Sequence, residues 1–178
     1  MLWLKENRFL VANAAAFQLL WFAAVVAAGA YGYFWIAALC ALPIVALSYV
    51  SDVRKLDWQI AAVCVCCGLL LDNSWVFLDI LTYPRDLYAP AWIGLLWLGF
   101  GLTVNHSLSF FRDRPVIGPV VVGAFAPVTY LAGQRFGAVT IEAPLLMALI
   151  SVSWAGLFTA VSAVVRSLDA PMAAPAGD

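Results

Sequence analysis

Residues 58–81 read WQIAAVCVCCGLLLDNSWVFLDIL. No charged side chain occurs over 60–71, and as a helix rising 1.5 Å per residue the whole run is about 36 Å long. The hydrocarbon core of a bilayer is about 30 Å thick and asks for about 20 such residues. The stretch reads as a membrane-crossing helix, and the rest of the chain agrees with it. Five further apolar runs lie at 9–28, 31–50, 91–111, 116–132 and 143–165. Pro90 and Pro144 stand where a first helical turn accepts proline. Pro43 and Pro127 fall inside runs, where each removes a backbone donor and kinks the helix.

Composition points the same way. Of 178 residues, 65% are hydrophobic and 11% charged, with a mean hydropathy of +0.97. A soluble domain carries about 25% charged residues. Backbone groups facing lipid must be satisfied within their own segment, which requires helices. A barrel would show short alternating strands, and none occur here. The expectation is an all-α, polytopic transmembrane bundle of six spans without a soluble domain, covering 1–168. The Pro/Ala-rich tail, 169–178, is expected to be disordered. The apolar part of the first run is about twenty residues long, against 7–15 in a cleaved leader, so it reads as a span.

Lys and Arg set the orientation. With six spans, Lys5, Arg8, Arg54, Lys55, Arg112, Arg114 and Arg166 fall on one side, and Arg85 and Arg135 on the other. Seven against two places both termini in the cytoplasm of a cell whose inner membrane holds the protein. Tyr31, Tyr33, Trp35, Tyr83, Tyr88 and Trp92 gather at the outer ends as an aromatic belt. Net charge is −1, which offers no basic field for nucleic acid. Membrane lipids are the expected partners, with a homo-oligomer or a membrane partner protein also open. Alanines of the first run, Ala12, Ala16, Ala23, Ala24, Ala27 and Ala28, suit close helix contact.

Ionisable groups inside spans are expensive and mark function or pairing. Asp72 falls 14 residues into its run, about 21 Å from the start. Asp79 follows seven residues later on nearly the same face. The two stand as candidate acid and base. The alternative is an Asp72 paired with Arg85 or Arg135, or hydrogen-bonded to a neighbouring helix. Asn73 and Ser74 flank it, and Arg85, Asp86, Gln134, Arg135 and Glu142 share its side of the membrane.

The only histidine, His106, sits in a second polar group with Asn105, Ser107 and Ser109. A continuous fourth helix puts it roughly 8 Å from the inner boundary, level with Asn13. It can bond Asn13 or a backbone carbonyl, or face a lipid phosphate with Arg112 and Arg114 behind it. Asn73, Asn105, His106, Arg112 and Arg114 are therefore the candidate ligand-binding residues. His106 and Asp72 differ in depth by about 10 Å or more, too far for a hydrolase triad.

No cofactor or metal is expected. Cys40, Cys64 and Cys67 could supply thiolates to a soft metal such as copper. Thiols in lipid stay protonated, and no His/Met cluster accompanies them, so they read as small packing residues. A haem would want a further axial ligand, and Met147 is the one methionine within a span.

Two stretches, APAWIGLLWLGFGLTVNHSLSFF (89–111) and VVVGAFAPVTYLAGQRFGAVTI (120–141), together with GLLLDNSW (68–75), resemble a family of small bacterial inner-membrane proteins known as a domain of unknown function. The resemblance runs from the first helix to the sixth. The fifth helix of that family usually carries a Gly-Pro pair, where this chain has Ala126 before Pro127. Some members are encoded near fatty-acid-modifying enzymes such as cyclopropane fatty acid synthase, so the resemblance implies a place in lipid metabolism. It implies no catalytic residue. The leading expectation is a non-enzymatic protein that handles or senses lipid. The alternatives are a lipid-modifying enzyme using Asp72 and Asp79, and a small cation- or proton-coupled transporter using Asp72.

Overall fold

The computed structural model describes residues 7–169 and is mostly helical, with one short pair of strands. Helix α1 (Arg8–Phe22) continues as a π-helical segment, Ala23–Ala30. Next come α2 (Phe34–Tyr49), α3 (Arg54–Phe77) and strand β1 (Leu81–Thr82). Then follow α4 (Ala91–Gly101), the one-turn α5 (Ser109–Arg112) and α6 (Ile117–Arg135). Strand β2 (Thr140–Ile141), a 3₁₀ turn (Pro144–Leu146) and α7 (Met147–Asp169) complete the order. The tail 170–178 lies outside the described residues.

Four segments, Arg8–Ala30, Arg54–Phe77, Ile117–Arg135 and Pro144–Leu168, are long and apolar enough to cross a membrane. Phe34–Tyr49 and Ala91–Gly101 are apolar but shorter. Large apolar side chains such as Leu19, Leu42, Leu70, Val120 and Val152 point outward from the helices. Water would not tolerate so much exposed hydrocarbon, and lipid does. This is an all-α membrane bundle.

The contacts sort into two ends. At one, Phe9 packs edge-on to His106, Ser51 and His106 meet Asp57, and the Arg166 guanidinium donates to the Arg112 carbonyl. That end also carries Arg8, Arg54, Lys55 and Arg114 and is called the basic end below. At the other, β1 pairs antiparallel with β2, Leu81 opposite Ile141. There Arg85 donates to the carbonyls of Gly29 (2.9 Å) and Ala30 (2.7 Å), where the π-segment stops. A cation suits a helix C-terminus, whose last carbonyls lack partners. Helices α3 and α4 pack together, as do α6 and α7, and α1 lies against α2 and α4.

The fourth run departs from expectation. A continuous helix over 91–111 was expected, but α4 stops at Gly101 and 102–108 run as turns. Two glycines, Gly99 and Gly101, weaken this helix end. The Thr103 hydroxyl donates to the Phe100 carbonyl at 2.6 Å, a local bond that competes with helix continuation. Gly101 also approaches α3 so closely that a Cβ would sit 2.5 Å from the Ala61 Cα. Tight backbone bonds, among them Thr103 N–H to Phe100 O (3.0 Å) and His106 N–H to Thr103 O (3.0 Å), satisfy the unwound segment. Irregular backbone at membrane depth persists only where protein or a cavity surrounds it. Leu102, Thr103 and Val104 are accordingly buried.

Candidate functional site

The first polar cluster forms where the unwound segment meets the start of α3. Asp57 has no exposed surface. Its Oδ2 accepts from Ser51 Oγ at 2.6 Å and lies 2.9 Å from His106 Nε2, and its Oδ1 accepts from Asn105 Nδ2 at 2.8 Å. Arg112 Nη1 donates to Asn105 Oδ1 at 2.8 Å. Ser51, His106 and Asp57 share residue types with a hydrolase triad, but not its order. Ser51 Oγ and His106 Nε2 both meet Asp57 Oδ2 and lie 3.4 Å from each other, so one imidazole nitrogen faces both hydroxyl and acid and the ring does not stand between them. Asn13 bridges a neighbouring site. It donates to the Leu102 carbonyl at 3.1 Å and accepts from Ser107 Oγ at 2.7 Å.

This corrects the partner expected for His106, which was Asn13, a carbonyl or a lipid phosphate. Asp57 was not among the candidate residues. It follows Arg54 and Lys55 in a charged stretch that reads as membrane surface. Arg114 turns away from the cluster, donating to the Phe110 carbonyl and lying 3.5 Å over the Phe110 ring.

The second cluster surrounds Asp72, on the buried face of α3. Asp72 is fully buried. Its Oδ1 accepts from the Tyr83 hydroxyl at 2.7 Å and the Tyr130 hydroxyl at 2.9 Å, and its Oδ2 accepts from Trp97 Nε1 at 2.7 Å. Neither Arg85 nor Arg135 supplies the counter-charge; three neutral donors hold the carboxyl instead. Gly68 makes this possible, because a Cβ there would lie 2.0 Å from the Trp97 ring. Asp79 is elsewhere. Helix α3 ends at Phe77, and Asp79 is exposed at a positive φ of 53° beyond it. The shared helix face expected for Asp72 and Asp79 is therefore absent. Asn73 serves the backbone, donating to the Leu69 carbonyl and accepting from the Ala89 N–H. Thr82 donates to Glu142 at 2.8 Å, and Gln134 accepts from the Ile141 N–H. These residues tie loops together rather than converging on one pocket with Asp72.

Burial pushes the Tyr83 phenol well above its usual range, and the nearby Asp72 adds to the shift. Among the described residues, no group of three or more His, Cys, Asp or Glu side chains is arranged to hold a metal. Cys40, Cys64, Cys66 and Cys67 are free thiols.

A cavity of about 330 Å³ runs in front of the Asp72 donors. One wall is α1, with Ala14, Phe17, Gln18 and Trp21; the opposite wall is α6, with Phe125, Thr129 and Tyr130. Trp92, Trp97 and Phe100 of α4 form the floor with Trp154 of α7. Trp154 stacks on Trp97, with centroids 4.2 Å apart. Phe125 and Thr129 are exposed at the rim, so the groove opens sideways on the helix surface that lipid would cover.

Residues 10–160 match the model of a family described as protein of unknown function (DUF2878). The chain belongs to this family. The DUF2878 match includes Ser51, Asp57, Asp72, Asn105 and His106, and every wall of the groove, while Arg166 lies beyond it. No curated protein and no solved structure matches the chain.

Proposed function

We propose that this protein is a non-enzymatic lipid-handling protein of the inner membrane, and that it takes an apolar ligand from the bilayer into the groove between α1 and α6. The observation that carries this reading is the groove itself: about 330 Å³, lined almost wholly by aromatic and aliphatic side chains, with exposed residues at its rim. Ligand pockets have this size and apolar character, with few polar groups. Both termini face the cytoplasm in this reading, since seven basic residues against two fall on that side. Acid–base chemistry needs titratable groups that converge on a reacting atom. Asp72 is enclosed by its three donors and Asp79 lies outside the helix, and although Asp57 and His106 do meet, neither lines the groove, which favours the non-enzymatic role over the alternatives.

The test is photolabelling of the protein in lipid nanodiscs with a diazirine-bearing palmitate. Adducts should concentrate on Phe17, Trp21 and Phe125, and Ala14→Trp should cut them by about tenfold, a change of about 1.4 kcal/mol in binding. Labelling spread evenly over all outward-facing side chains, and unaltered by Ala14→Trp, would sink the proposal.

A further inference from the structure

Gln18 has no role in the packing just described. It lies ten residues beyond Arg8, about 15 Å along the helix and so near the middle of a hydrocarbon layer of about 30 Å. Its side chain lines the groove and is exposed there. Among the described residues it has no hydrogen-bond partner. An amide facing hydrocarbon without a partner costs several kcal/mol, and a leucine at this position would avoid that cost. Trp154 of α7 lines the same groove, stacked on Trp97 and packed on Phe100, with its buried indole N–H beside Tyr130.

Around Gln18 the walls are aromatic: Phe17, Trp21, Trp92, Trp97, Phe100 and Phe125. Aromatic walls favour a flat ring, through offset and edge contacts, over a flexible chain. A glycerophospholipid places its oxygens at the membrane surface, where they would miss Gln18. A ring compound dissolved in the hydrocarbon carries its oxygens to mid-depth.

We infer that the groove selects a membrane-soluble ring compound bearing carbonyl oxygens, the chemical class of the isoprenoid quinones, with an oxygen that accepts from the Gln18 amide. The inference rests on the reading that the groove takes a ligand from the bilayer. It concerns binding alone, and no electron transfer is involved.

Competition against the diazirine palmitate tests it in nanodiscs. Unlabelled decylubiquinone should displace groove labelling at about tenfold lower concentration than unlabelled palmitate does. Gln18→Leu should erase that advantage. Gln18 makes no bond within the protein, so Gln18→Leu should melt no lower than the wild type. Equal potency of the two competitors, or an advantage that survives Gln18→Leu, overturns the ring-carbonyl assignment and leaves the groove reading standing. Absence of groove labelling by the palmitate probe removes that reading and this inference with it. A change in oligomeric mass on Gln18→Leu, with competition unaltered, would assign the amide to a second copy of the chain and also overturns the inference.

Discussion

His106 holds its Nε2 2.9 Å from Oδ2 of Asp57, a wholly buried carboxylate 49 residues earlier in the chain. The bond joins the first turn of α3 to the unwound segment after α4. Removing one partner leaves the other polar group buried and short of a bond, which costs about 1–3 kcal/mol. Asp57→Ala and His106→Ala should each destabilise the protein by that order. The double variant should lose less than the sum by about 1 kcal/mol or more. Reversible unfolding in mixed micelles measures all three, and strict additivity would show that the pair does not act as a unit.

Asp72 accepts three hydrogen bonds, and a carboxylate can receive all of them at once. In Asp72→Asn one side of the group becomes a donor and faces either the Trp97 N–H or the two phenols. That mismatch should cost about 1–3 kcal/mol. Asp72 lies behind the groove wall rather than in it, so palmitate labelling of the folded variant should stay within about twofold of wild type.

Gly68 and Gly101 mark where α3 and α4 touch. A Cβ at Gly68 would meet the Trp97 ring at 2.0 Å, and one at Gly101 would meet Ala61 Cα at 2.5 Å. Gly68→Ala should push Trp97 off Asp72, shift tryptophan emission and cost about 1–3 kcal/mol or more. Gly101→Ala forces backbone apart, so it should be the more damaging of the two by thermal melting.

The buried Tyr83 phenol titrates higher in the folded protein than in the unfolded chain. The folded state therefore holds this proton more tightly. Its contribution is fully present below the unfolded value of about 10 and is lost as pH rises above that towards the folded value. The melting temperature should fall above about pH 10, and Tyr83→Phe should flatten part of that fall. An identical alkaline profile in Tyr83→Phe would exclude this phenol as the cause.

Orientation is accessible to cysteine labelling. Leu87 is exposed in the loop that carries Arg85, and Asp52 is exposed beside Arg54. Leu87→Cys should react with a membrane-impermeant maleimide in spheroplasts, and Asp52→Cys only after permeabilisation. The reverse pattern would invert the proposed topology.

Hydropathy alone announces the helices, because lipid exposure demands apolar faces on every span. It does not announce where a helix breaks. The apolar count runs on to Phe111, while Gly99, Gly101 and the Thr103 hydroxyl end α4 earlier through local backbone chemistry. The aromatic belt is legible for Tyr31, Tyr33, Trp35 and Tyr88, which are exposed, but Tyr83 and Trp92 turn inward. Tyr83 faces in because Asp72 offers it an acceptor from another element, and no local pattern encodes such a pairing. Asp57 escapes notice for the same reason: its partner His106 is distant in sequence, and its neighbours Arg54 and Lys55 disguise it as surface. Asp72 stands out because an acid inside an apolar run is conspicuous without knowledge of its partners.

The brevity of α4 bears on how the protein is made. Eleven residues rise about 16 Å, roughly half of a hydrocarbon layer, and the polar turns after them cannot face lipid bare. Such a segment is poorly equipped to partition from a translocation channel by itself. It should enter the bilayer sheltered by α3, where Ala61 meets Gly101 and Asp57 bonds Asn105 and His106 of the turns, and by Asn13 of α1, which donates to the Leu102 carbonyl just past the helix end. Biogenesis is thus cooperative: the first three helices act as a scaffold on which the fourth is laid, and a ribosome-arrested fragment containing α4 without α1 should stay exposed to the quality-control proteases.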